Sequence, residues 1–358
     1  MVKKTIAVLL GDGIGPEVTR EAVKILQTIA KRFNHQFCYE YGLIGGVAIA
    51  RHGHPLPEET KTLCRNSDAI LFGAVGDPRY DQSPDASLRP EQGLLELRKS
   101  LGLFANLRPI KSYPALYKSS PLQPSRLKGV DFIFYRELSS GIYFGEKKKT
   151  KEMASDLCLY TREEIRRITV MAFEAARHRS GSLCLIDKAN VLATSRLWRE
   201  VVQAEAVKFP DVKFTCLYVD HAAMQLILNP AQFDVILTDN LFGDILSDEA
   251  SVIAGSIGLL PSASIGTGVS LFEPVHGSFP QAAGKNIANP GAAILSAAML
   301  LDHAFHLPVE AALVTKAVED SIAAGLLTKD LDQHAGISTS EAGDAIAKMV
   351  LEEEMDSV

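Results

Sequence analysis

This chain has no excess of positive charge. Lysine and arginine total 37 against 43 acids, leaving a net charge of −6. A nucleic-acid binder needs a basic face, so the balance argues against that class. The one basic run, Lys147-Lys148-Lys149-Thr150-Lys151, reads as a solvated loop. Cysteine is also scarce: Cys38, Cys64, Cys158, Cys184 and Cys216 are scattered, with no paired spacing. That pattern fits neither a disulfide framework nor a zinc site, and it suits small buried hydrophobes in a reducing compartment. No apolar run reaches the ~20 residues that span a membrane. Lys3-Lys4 leads into a six-residue strand, too short for a signal peptide. The expectation is a cytoplasmic protein with no membrane and no nucleic-acid partner.

Core-forming residues are plentiful. Of 358 residues 47% are apolar, enough chain for two lobes rather than one core. Residues 5–10 read as a strand that runs into Gly11-Asp12-Gly13-Ile14-Gly15-Pro16 and then a helix with an apolar stripe over 18–33. Gly13 and Gly15 are two apart, whereas the Rossmann fingerprint needs its third glycine three residues after the second. A tight strand-to-helix turn is expected, not a Rossmann cofactor site. Strands at 36–43 and 69–75, with a short helix after Pro57, continue an alternation that implies a doubly wound parallel sheet. Residues 76–90 read as a polar, mobile loop, and 91–101 as the next helix.

The chain is organised around residues 238–249. An apolar run ends at Thr238, Asp239 or Asn240 caps a helix, and Asp244 and Asp248 follow four residues apart. That spacing stacks two carboxylates on one helix face, where they repel unless something positive lies between them. Leu241, Phe242, Ile245 and Leu246 interleave with them, so the helix is packed and the acids need a partner. Mg²⁺ or Mn²⁺ is the natural occupant. Arg98, Arg108 and Arg136, each at an element end or beside an apolar run, add three forks suited to a dianionic ligand.

Asn240-Leu241-Phe242-Gly243-Asp244-Ile245-Leu246-Ser247-Asp248 resembles the metal-binding segment of the β-decarboxylating (isocitrate/isopropylmalate) dehydrogenases. The likeness runs from Gly11 to the last helix. It implies a two-lobed α/β fold. One lobe is discontinuous, 1–103 and 256–358; the other, 104–255, carries a hairpin arm at about 137–160 built from paired strands 140–145 and 157–160. The resemblance further implies a homodimer with shared active sites, NAD as cofactor, and Asp220, Asp244 and Asp248 as metal ligands, Asp220 coming from the partner.

Catalytic roles fall by resemblance on Lys188, which takes the hydroxyl proton, on Tyr143, which relays a proton, and on Asp220. Substrate contacts fall on Arg98, Arg108, Arg136, Asn190 and Val191. Within the family the choice of substrate is implied by Glu91-x-x-Leu94-Leu95-x-x-Arg98, whose leucines suit the isopropyl group of 3-isopropylmalate and not the third carboxylate of isocitrate. The loop 272–290 resembles the family's dinucleotide loop, with Glu273, His276, Gly277, Ser278, Phe279, Pro280, Gln281 and Asn289 as cofactor contacts. It departs at Gln281, where NAD-dependent relatives usually carry an Asp for the ribose. Two other readings stay open: a homoisocitrate, tartrate or isocitrate dehydrogenase, and a non-catalytic regulatory subunit.

Overall fold

The computed structural model describes residues 1–80 and 88–353. The polar loop expected at 76–90 therefore lies partly outside the described residues, and its expected mobility with it. In chain order the strands are β1 (Lys3–Gly11), β2 (Gln36–Gly42), β3 (Ala69–Ala74), β4 (Ala105–Lys111), β5 (Asp131–Glu137), β6 (Lys147–Lys149), β7 (Ala154–Asp156), β8 (Ser182–Asp187), β9 (Lys213–Tyr218), β10 (Val235–Thr238), β11 (Pro261–Ile265) and β12 (Leu271–Pro274). The fold is mixed α/β. It divides into two compact units: Met1–Gly102 with Tyr113–Ser119 and Ser256–Val358, and Leu103–Ser112 with Ser120–Gly255.

In the first unit the strands run β2-β1-β3-β12-β11. β1 lies parallel to β2 and β3, β3 is parallel to β12, and β12 turns antiparallel to β11. Every residue of β3 is buried, as expected of an interior parallel strand whose sequence is a near-continuous apolar run. The Gly15–Phe33 helix places Pro16 in its first turn, where no N–H is missed, and packs against the helices Gly291–Met299 and Thr339–Glu352. Gly11 and Gly13 both have positive φ, +70° and +58°. A Cβ on Gly13 would sit 1.9 Å from the Ser278 carbonyl oxygen, so only glycine lets this turn approach the 272–290 loop. A helix at Gly46–His52 was not legible in the sequence; the Asp12 carboxylate accepts from the N–H groups of Gly46 and Val47 at its start.

In the second unit the order is β4-β5-β10-β8-β9, with β4 antiparallel to β5 and the rest parallel. β8 ends one residue before Lys188, β9 two residues before Asp220, and β10 runs into the helix that carries Asp244 and Asp248. The arm differs from expectation. Its paired strands are β6 and β7, not 140–145 and 157–160. Residues 140–145 form a turn, because Gly141 takes φ +82° and the Tyr160 ring packs where a Cβ would stand. The chain segments still run alongside, joined from the Gly141 N–H to the Leu159 carbonyl. β6 is Lys-Lys-Lys and fully exposed, so no apolar alternation marked it as a strand.

Candidate active site

The helix Asn240–Ser251 presents the acids of the second unit. Asp239 is its N-cap, its side chain accepting from the Phe242 N–H at 2.8 Å. Burial, opposed by that hydrogen bond, pushes the Asp239 carboxyl up to about 6. One and two turns on, Asp244 and Asp248 are met by arginines from the sheet. Arg136, at the end of β5, pairs with Asp244 through Nη1 and donates from Nε and Nη2 to the Asn240 side-chain carbonyl at 3.1 and 2.8 Å. Arg108, on β4, donates from Nη1 to Asp248 and to Ser247 Oγ, both at 2.8 Å, and from Nε to Asn106. Its other terminal nitrogen lies 3.8 Å from Asp244. The repulsion expected between the two acids is thus relieved by guanidinium groups.

Gly243 makes this geometry possible. A Cβ there would fall 2.3 Å from Thr238 Oγ1 and 2.6 Å from Arg136 Cγ, so the missing side chain is what lets Arg136 lie across the helix. Tyr143, from the turn at the base of the arm, donates its hydroxyl to Asp244 Oδ2 at 2.8 Å. Partial burial and then this carboxylate raise the phenol to about 12, so it remains a proton donor near neutral pH. The Asn240 side chain also donates to the Ser140 carbonyl, and its backbone N–H donates to Tyr160 Oη.

Lys188 follows β8 directly. Its backbone is fixed by Ser195 Oγ, and the adjacent Asp187 is buried against Arg199 through two bonds of 2.7 and 2.8 Å. The Lys188 amine pairs with Asp220, in the first turn of the Val219–Leu228 helix, and lowers that carboxyl. Asn190 and Val191 lie exposed in the following turn. A single chain does not bring Asp220 together with Asp244 and Asp248: among the described residues no three acids, histidines or cysteines could jointly hold a metal. The donor set still suits one. Asp244 and Asp248 are 33% and 65% exposed, both hard oxygen donors on one face, and the ion-pair partner of each is a guanidinium.

In the first unit the Pro90–Ser100 helix carries Glu91, Leu94, Leu95 and Arg98. Glu91 is exposed, Leu94 half-buried, and Leu95 49% exposed, a large apolar side chain left at the surface. Arg98 pairs with buried Glu273 at the end of β12. The loop beyond is held mainly by its backbone. The Ser278 carbonyl accepts from Ile14 N–H at 2.8 Å, and Glu17, on the first helix, accepts from the N–H groups of Gly284 and Asn286. His276 is buried with its Nδ1 on the Gly277 carbonyl, and burial lowers its pKa, so it is neutral. Since a carbonyl only accepts, Nδ1 carries the proton and Nε2 is a bare acceptor, buried without a partner among the described residues. Gly277, Phe279 and Gln281 are exposed, Ser278 is buried and Pro280 half-buried. A cleft of about 430 Å³ beside this loop is lined by Gly11, Asp12, Val47, Arg51, Arg79 and Pro280 among others. Asn289 donates to Asp330, which also accepts from Ser256 and Thr328. Sequence reasoning missed Asp330 and gave no role to Glu17; Asn240 was named only as a possible cap and as the start of the quoted motif.

Residues 5–346 match the family described as isocitrate/isopropylmalate dehydrogenase. The chain is 54% identical to the 3-isopropylmalate dehydrogenase of Bacillus subtilis over 348 residues, 95% of each chain. It is 55% identical to the protein of the same name from Geobacillus kaustophilus over 355 residues, covering 97% of this chain and 95% of that one. Among solved structures, isocitrate dehydrogenase from Methylococcus capsulatus superposes with a TM-score of 0.85 at 33% identity, covering 98% of this chain and all of that one. A β-decarboxylating dehydrogenase from Thermococcus kodakarensis gives 0.81 at 39% identity, over 97% and 96%.

Proposed function

The chain belongs to the isocitrate/isopropylmalate dehydrogenase family, and from that premise we propose that it oxidises and decarboxylates 3-isopropylmalate to 4-methyl-2-oxopentanoate, using NAD⁺ and Mg²⁺ or Mn²⁺. The observation that carries the choice of substrate is the pairing of Leu94 and Leu95 with Arg98 on one helix. A carboxylate on Arg98 would leave an alkyl substituent beside two leucines, one of them substantially exposed.

The second unit supplies the chemistry of the hydroxyl and its carboxylate. Asp244 and Asp248 would hold the metal, and Arg108 and Arg136, freed from those acids, would take substrate carboxylate. The exchange conserves charge, because a divalent cation and a dianion enter together. When bound, the metal acidifies the 2-hydroxyl and NAD⁺ accepts the hydride. Lys188 Nζ would take the hydroxyl proton in its neutral form, which a nearby cation favours once Asp220 leaves the amine to serve as the third metal ligand. Tyr143 Oη, protonated at working pH, delivers the proton that turns the enol into the ketone. Asn190 and Val191 border Lys188 on its exposed side.

The first unit supplies the dinucleotide loop. His276 Nε2 offers a buried acceptor to the adenosine half, with Gly277, Ser278, Phe279, Pro280, Gln281 and Asn289 along the same loop and Glu273 on the nicotinamide side. We read the active protein as a cytoplasmic homodimer in which Lys188 and Asp220 act in the partner's site. Apolar side chains exposed on one chain support this reading: Met224 and Leu228 on the Val219–Leu228 helix, and Ile245 between the two acids. A non-catalytic subunit is disfavoured, since Lys188, Tyr143 and all three aspartates are present.

The test is NADH formation from 3-isopropylmalate, malate and isocitrate with Mn²⁺, with and without EDTA. Burying the alkyl group is worth about 0.8 kcal/mol per carbon, so 3-isopropylmalate should beat malate in kcat/KM by tens-fold. Isocitrate should scarcely react, because its third carboxylate would enter an apolar site without a partner. Comparable rates with isocitrate would overturn the substrate and leave the family intact.

A further inference from the structure

Arg98 and Glu273 form an ion pair within the first unit, Nη2 to Oε1 at 2.5 Å, with side chains only 15% and 7% exposed. Arg98 comes from the Pro90–Ser100 helix. Glu273 comes from β12, three residues before His276. The pair is one-pronged, although a guanidinium and a carboxylate can meet through two parallel bonds. The Arg98 Nε–H is buried and has no hydrogen-bond partner among the described residues. A buried donor left unmade is costly, so this N–H gains from any acceptor that a ligand brings to it.

We propose that Glu273 is an internal counter-ion that a ligand carboxylate displaces from Arg98, making the pair a latch between the substrate helix and the root of the dinucleotide loop. This rests on reading Arg98 as a substrate contact. Without ligand, a buried arginine needs compensation, and Glu273 provides it. A substrate carboxylate brings a second negative charge to the same guanidinium and takes the spare Nε–H. Two carboxylates on one buried cation repel, so the weaker, one-pronged contact gives way. Glu273 is therefore a positioning residue that competes with substrate, and it is released just ahead of His276 when substrate binds. The wild-type affinity for the anion is set below what Arg98 alone would give.

The test measures anion binding with no cofactor present, so that no turnover occurs. Full-length wild type, Glu273→Gln and Glu273→Asp are titrated calorimetrically with 3-isopropylmalate and, separately, malate in Mg²⁺. Competition predicts tighter binding when the competitor is weakened: Kd should fall at least about fivefold in Glu273→Gln and by a smaller factor in Glu273→Asp, whose carboxylate is drawn back by one methylene. Without ligand Glu273→Gln should melt below wild type, and the anion should raise its Tm by more. A merely structural Glu273 would give the opposite order, with weaker binding in both variants. Unchanged or weakened Kd in the folded Glu273→Asp form overturns the latch even if Glu273→Gln fails to fold. Tightening for malate with no binding of 3-isopropylmalate by wild type would uphold the latch and overturn the proposed substrate.

Discussion

Gly243→Ala tests how the Asn240–Ser251 helix is seated. On an exposed helix surface this change would stabilise by about 1 kcal/mol, because alanine is the better helix former. Gly243 is buried, and its added Cβ would lie 2.3 Å from Thr238 Oγ1 and 2.6 and 2.8 Å from Arg136 Cγ and Cβ. Those arginine atoms are the root of the side chain and cannot swing aside freely. β5 itself is fixed on both edges, by β4 and β10. Relief must move the helix or tilt Arg136 as a whole. Overpacking of this kind costs about 1–3 kcal/mol, which exceeds the propensity gain, so a net loss of about 1 kcal/mol is expected. Arg136 would lose its bonds to Asn240 and its pairing with Asp244. A misplacement of about 1 Å at such a group can cost about a hundredfold in rate. Thermal melting and kcat/KM for 3-isopropylmalate on the same preparation decide the matter. A higher Tm with unchanged kcat/KM would refute the reasoning, since it would mean that Arg136 does not need the space.

Three further outcomes are expected. Asp244→Asn removes one hard anionic donor, so turnover should fall by about a hundredfold or more and need more Mn²⁺; wild-type turnover in EDTA would remove the metal from the scheme. NAD⁺ should exceed NADP⁺ in kcat/KM by at least about tenfold, ~1.4 kcal/mol, because Gln281 offers a 2′-phosphate no charge and Asp330 stands at Asn289. Equal use of both cofactors would contradict it. Asp239 has a folded pKa raised to about 6 from an ordinary 3.8, so its contribution to stability is greatest below about pH 4 and is lost as pH rises to about 6. Asp239→Asn keeps a capping acceptor without the buried charge, so it should melt above wild type at pH 7.5 and lose that advantage near pH 4; a gap that persists at pH 4 would count against burial as the cause.

The alternation of strand and helix was legible because buried parallel strands such as residues 69–74 are apolar throughout, and helices such as 15–33 repeat their apolar positions at the helical period. The cap was legible only to within one residue, Asp239 or Asn240, because both side chains can accept from a helix's first N–H groups; the structure makes it Asp239. The arm strands were not, since Lys147–Lys149 and Ala154–Asp156 pair through backbone alone and bury nothing. The Gly46–His52 helix was hidden because its start is capped by Asp12, 34 residues earlier. Asp330 escaped for the same reason. Its three partners, Ser256, Thr328 and Asn289, are gathered by the fold, and two of them are far from it in sequence. Long-range polar partners leave no periodic mark.

The sequence presents Asp244 and Asp248 as two like charges in need of a cation, and on that view the repulsion relieved by neutralising one offsets the ligand lost, so that folding is unharmed. The structure removes that offset. Asp244 is held by Arg136, whose side chain is 6% exposed, and Asp248 by Arg108, 13% exposed. Replacing Asp244 by asparagine therefore relieves no repulsion and leaves a buried arginine undercompensated, which is the costly way to break an ion pair. Asp244 is itself a third exposed, so water screens part of the loss, and asparagine can still accept from Tyr143 and Arg136. The loss should be about 1 kcal/mol, smaller than for a sealed pair. The same arrangement explains how the chain folds before any metal arrives. The acids and arginines proposed to hold a cation and a dianion neutralise one another first, so the site is kept in shape by pairs that such ligands would have to separate.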